Sequence, residues 1–195
     1  MAIHFATEPA NGASLVQQGM ERLAARPDHP LARVAASKSL QVVQPHAVYD
    51  LRADEVASGG GLASAVKTGF RYLVEADGGN VAAGEVQTDS EGTAKLLANI
   101  NFGPYVKATA EALPKVQSLP EVSSGSFELR LLRFSAAFLV ALWLKPDTGH
   151  GDILYPLAPA PAGLEADRPY SEQELFQVLR PIAQRRTESK APSIP

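Results

Sequence analysis

Arg71, Asn99, Asn101, Arg130 and Arg133 are the side chains of this 195-residue sequence best suited to grip a polar ligand. Guanidinium groups present planar donor forks that match carboxylate or phosphate, and carboxamides add donors and acceptors beside them. All five fall in stretches that read as β-strands, so a sheet can set them side by side. The competing assignment is a solvated sheet face. Glu75, Glu85 and Glu128 also lie on strands and can pair with the arginines across them. Asn99 and Asn101 alternate just before Gly103-Pro104, where capping the turn and the helix that follows is the favoured role. Lining a cleft at the sheet end is the alternative for that pair.

A second cluster is Asp147-Thr-Gly-His150-Gly-Asp152. Two carboxylates and an imidazole so close together are a candidate metal-ligand set, formed by Asp147, His150 and Asp152, and His150 is a candidate general base. No H-x-x-x-H or H-E-x-x-H companion supports it, and His4, His29 and His46 lie in separate segments. Glycine, aspartate and threonine are equally what a hairpin loop needs for its own hydrogen bonds. The loop reading is preferred, and no cofactor is expected.

Several chemistries fail on spacing. Counting a P-loop from Gly61 puts Val66 where the second glycine should cradle phosphate, and the segment leads into a strand instead of a helix. Ser58-Gly59 and Ser124-Gly125-Ser126 lack the G-x-S-x-G elbow, and no G-x-G-x-x-G follows a strand. The absence of cysteine removes disulfides, thiolate metal sites and a cysteine nucleophile.

The charges nearly balance, with 18 Lys and Arg against 21 Asp and Glu. No basic cluster exists to displace phosphate counterions, so nucleic acid is not an expected partner. The longest apolar run, residues 136–144, is far short of the roughly 20 needed for a membrane helix, and the N-terminus lacks a signal-peptide pattern. A soluble, cytoplasmic protein without membrane association is expected.

The elements that must carry these residues are legible in part. Apolar spacing predicts a helix over 15–25, capped by Ser14 with Gln17 completing a capping box. Residues 40–51 read as an extended strand in which Pro45 suggests an edge or a bulge, and 54–57 can make one helical turn. Period-two alternation from Phe70 to Val74, a turn at 77–80, a returning strand over 81–88 and a third over 95–101 make a meander. Pro104 opens a helix that Pro114 should kink or end. Residues 127–134, 138–144 and 153–157 read as a second meander. Ala158–Gly163 is a proline-rich strap, and Ser171 with Glu174 caps the last helix, with Tyr170 stapling onto Leu175.

The expected fold class is α+β: an antiparallel sheet of about six strands in two three-stranded meanders, with about three helices packed on it. Residues 1–13 read as an N-terminal arm, 14–186 as a single domain and 187–195 as a polar tail. The order helix, three strands, helix, three strands, helix resembles the layout of type III secretion chaperones, which are small acidic dimeric α+β proteins. The likeness is one of element order alone and rests on no shared motif. Failure of each catalytic motif, together with the strap, favours a non-enzymatic adaptor or chaperone-like module with a protein partner or self-association. The alternative is a small-molecule-binding protein or enzyme using Arg71, Arg130, Arg133, Asn99 and Asn101.

Overall fold

A computed structural model of the chain describes residues 2–37, 39–76 and 79–189. Among these, eight strands and six α-helices follow one another. The first part contains β1 (Ile3–Phe5), α1 (Gly12–Ala24), α2 (Pro30–Ser37), β2 (Leu40–Asp50) and α3 (Ala53–Ala57). Next come β3 (Val66–Ala76), β4 (Gly79–Thr88), β5 (Ala94–Asn101), α4 (Pro104–Gln117) and α5 (Pro120–Ser123). The chain continues through β6 (Phe127–Phe134), β7 (Leu139–Pro146), β8 (Ile153–Pro156) and α6 (Glu172–Glu188). Asp77 and Gly78, half of the expected turn, lie outside the described residues, as does the tail from residue 190.

The fold is α+β, but the sheet is mixed and larger than expected. Its order is β5-β4-β3-β2-β6-β7-β8, with β1 also on β6. Both meanders are present and antiparallel. The strand read over 40–51 is β2, and it joins them, antiparallel to β3 and parallel to β6. β1 pairs parallel with Phe127–Leu129, and β2 takes over from Arg130 to Arg133. Two strands laid end to end thus satisfy the backbone groups along one edge of β6, which would otherwise stay unpaired inside the sheet. No local pattern announces such a pairing.

Three expected helices become six: α3 is the single turn read at 54–57, while α2 and α5, of 8 and 4 residues, are too short for apolar periodicity to register. Helix α1 begins at Gly12, not near Leu15, and no side chain caps it. Asn11, at its N-cap, exchanges hydrogen bonds with the backbone of Ala94 instead. Helix α4 runs through Pro114 to Gln117 without ending there. The Ser171–Glu174 capping box forms as read, and α6 continues through Pro181.

Helices cover both faces. α4 lays Val106, Ala112, Leu113 and Val116 on one face, against Leu73, Leu129, Leu131 and Leu142. The other face receives Val16 and Met20 of α1 over the first half of the sheet. Leu175, Phe176 and Leu179 of α6 cover the second half. A fully buried Leu or Phe contributes about 2 kcal/mol, so each helix is pinned by its apolar stripe. Among the described residues no helix is long and apolar enough to cross a membrane.

Candidate functional site

Period two along a strand decides which polar side chains meet. On the α4 face, β3 presents Arg71, β4 Glu85, β5 Asn99 and Asn101, and β6 Arg133. Register enforces the grouping, since Arg71 stands opposite Glu85 and Glu85 opposite Asn99. The start of α4 roofs them with Gly103, Tyr105 and Val106, while Leu131 and Val140 supply an apolar wall. The cavity they line is open to solvent on one side and holds about 190 Å³.

Arg71 is the unusual member. Its side chain is 3% exposed, yet its nearest carboxylate contact is a long 3.9 Å from Nε to Glu85 Oε1. Nη1 donates to Thr109 Oγ1 at 3.4 Å, and Nε is buried without a hydrogen-bond partner. Burial pulls its pKa below the ordinary guanidinium value, with Glu85 opposing that shift. Arg71 therefore lines the cavity as a desolvated cation whose polar contacts, to Thr109 and Glu85, are long.

Arg133 is fully engaged. Nε and Nη2 clasp Asp50 at 2.7 and 2.9 Å, and Nη1 donates to Glu85 Oε2 at 2.7 Å. Burial works against its charge, but these carboxylates outweigh it and raise its pKa. Arg133 therefore ties β2, β4 and β6 together and holds Glu85 in place. Glu85 Oε1 accepts no hydrogen bond among the described residues.

The capping role expected of Asn99 and Asn101 is corrected. Gly103 is the N-cap of α4 and no side chain caps it. Asn99 Nδ2 donates instead to Asn101 Oδ1 at 3.1 Å, and both line the cavity. Pro104 at the first helical position has no N–H, and the carbonyl of Gly103 accepts from Val106. The positive end of the α4 dipole thus faces the same cavity as Arg71. The Tyr105 hydroxyl lies 2.9 Å from the Phe138 carbonyl and 3.0 Å from that of Pro159, fastening the strap to the helix start.

Arg130 does not join the group. An odd spacing from Arg133 sends it to the opposite face, stacked 4.6 Å from the Tyr49 ring centroid and 4.8 Å from that of Trp143. Its Nε donates to Glu128 at 2.5 Å. That parity was readable in the sequence. Sequence reading paired Glu85 with arginine only generically and did not place His46 or Tyr105 near a site.

His46 faces Arg71 across β2 and β3. A bulge at Gln44, with φ of 51°, sets this register. The ring is fully buried; Nδ1 donates to the Gln44 carbonyl at 2.9 Å and Nε2 has no partner. Burial first, then the charge of Arg71, push its pKa down to about 3.

The residues of the 147–152 loop are each engaged separately. Asp147 accepts from Ser126 Oγ at 2.6 Å and contacts His4 Nε2 at 3.0 Å. Asp152 accepts from Trp143 Nε1 at 2.6 Å, and the His150 ring packs on Phe127. Among the described residues no group of three His, Cys, Asp or Glu side chains is arranged to hold a metal ion. A wider hollow of about 310 Å³ adjoins this loop at the start of α6, but its Ser171 and Glu174 are occupied by the capping box. Comparison with protein-family models, curated proteins and solved structures finds no match to this chain.

Proposed function

We propose that the protein binds a small molecule bearing an acidic group in the cavity beneath α4, with Arg71 as the anchor. The observation that carries this reading is the buried Arg71 guanidinium, which lines the cavity while its polar contacts, to Thr109 and Glu85, stay at 3.4 and 3.9 Å. Asn99 and Asn101 add amide groups, and the start of α4 positive potential, on the same side. At about 190 Å³ the cavity is below the usual range for drug-sized ligands, so the ligand is compact.

The adaptor or chaperone-like reading has one specific support. Phe138 is 76% exposed with a left-handed backbone, at the tip of the β6–β7 hairpin. Single exposed aromatics are common on soluble proteins, whereas a buried guanidinium with such long polar contacts is rare, so the ligand-binding reading is preferred.

Calorimetric titration with acetate, propionate and inorganic phosphate, against chloride at equal ionic strength, tests the proposal. Saturable binding of at least one of these anions, lost in Arg71→Met, is expected. Heats that match chloride for all of them would remove the reading.

A further inference from the structure

We infer that the preferred ligand is a small zwitterion of the α-amino acid type, its carboxylate on Arg71 and its ammonium on Glu85. This deepens the acid-group reading and rests on it. Three features of the cavity lead there.

The first is adjacency. Arg71 and Glu85 are register partners on neighbouring strands, and Nε and Oε1 stand 3.9 Å apart. That gap is too long for a hydrogen bond, so neither group is spent on the other, and both residues line the cavity. A ligand whose acid reaches Arg71 brings the substituent on its next carbon to Glu85.

The second is charge. The cluster holds two cations, Arg71 and Arg133, and two carboxylates, Asp50 and Glu85. It is neutral before any ligand arrives. A bare anion would leave an excess negative charge beside Glu85 in a partly desolvated site, whereas a zwitterion keeps the balance and offers Glu85 a cation.

The third is fixation. Glu85 Oε2 is held at 2.7 Å by Arg133, which is itself clasped by Asp50. The free oxygen Oε1 is therefore presented in one position, as a recognition group requires. Asn101 Nδ2 and Asn99 Oδ1, left over from their mutual hydrogen bond, remain for a side-chain hydroxyl or amide of the ligand.

The test compares matched pairs on the intact chain. L-alanine is titrated beside propionate and L-serine beside the corresponding dihydroxy acid, glycerate, at one pH and ionic strength. The expected result is at least tenfold tighter binding of each amino acid. Glu85→Gln should erase that preference while carboxylate binding persists, and Arg71→Met should abolish both. Equal binding within the pairs of the unaltered protein overturns the zwitterion inference without any variant having to fold, and leaves the acid-group site standing. An amino-acid preference that survives in folded Glu85→Gln also overturns the assignment to Glu85. Binding by neither class removes the acid-group reading and this inference with it.

Discussion

His46 and Arg71 stand opposite one another across β2 and β3, both buried, and each has a ring or guanidinium nitrogen without a partner. The Gln44 carbonyl can only accept, so Nδ1 of His46 carries the proton and Nε2 is a bare lone pair. The imidazole is thus held neutral beside a fixed cation. Protonation would place two positive charges in one buried pair.

That arrangement makes stability pH-dependent. With a folded pKa near 3 and an ordinary value of 6.5, the unfolded chain takes up a proton that the folded one refuses. Stability from this group is complete above pH 6.5 and declines as pH falls toward 3. Between pH 6.5 and 5, before most carboxylates titrate, the expected slope approaches about 1.4 kcal/mol per pH unit. Urea denaturation across that window measures it. His46→Leu should flatten the slope, and an unchanged slope in the variant would sink the assignment.

Arg71→Met separates binding from folding. The guanidinium is desolvated for contacts of 3.4 and 3.9 Å, and methionine keeps most of the apolar stem volume. Removing a buried charge with such thin compensation should leave stability within about 1 kcal/mol of the parent, or raise it. Equilibrium unfolding reads this directly. A loss above about 2 kcal/mol would assign Arg71 a structural role.

Arg133 should behave in the opposite way. Its fork bridges Asp50 and Glu85 with four contacts on three strands, counting Thr68 at 3.5 Å. Lysine cannot reproduce a bidentate clasp, so Arg133→Lys is expected to cost about 2 kcal/mol and to loosen Glu85. Thermal unfolding together with amino-acid titration tests both effects, and a variant with full stability would contradict the clasp.

Gly84 tests the packing of α1 on the sheet. A Cβ built there would lie 2.4 Å from Val16 Cγ1, inside van der Waals contact. Gly84→Ala should destabilise by about 1–3 kcal/mol through overpacking. Val16→Ala alone should also destabilise, by opening a cavity, yet the double variant should recover part of the combined loss. Strict additivity in this cycle would show that the two positions do not share the contact.

Much of the local structure was legible because local forces decide it. The ends of β6 at Phe127 and Phe134, the start of α4 at Pro104 and the capping box of Ser171 with Glu174 follow from alternation, a fixed proline φ and side-chain capping. The Ser14 cap read for α1 failed because the helix already begins at Gly12, which puts Ser14 inside its first turn, while Asn11 at the N-cap bonds to Ala94, 83 residues away. Asn99 and Asn101 misled in a related way, bonding to one another and leaving the helix start open. Arg130 could have been set apart from Arg133 by strand parity alone.

By itself the sequence determined the strand and helix inventory of the two meanders, the lack of cysteine chemistry and the presence of arginines on strands. Those follow from residue type, period and neighbours a few positions away. Only the tertiary structure decided that β2 runs parallel to β6, and hence that Arg71, Glu85, Asn99, Asn101 and Arg133 open onto one cavity. The physical reason is that pairing between distant strands is chosen by backbone satisfaction and burial across the whole sheet. A short window of sequence contains neither.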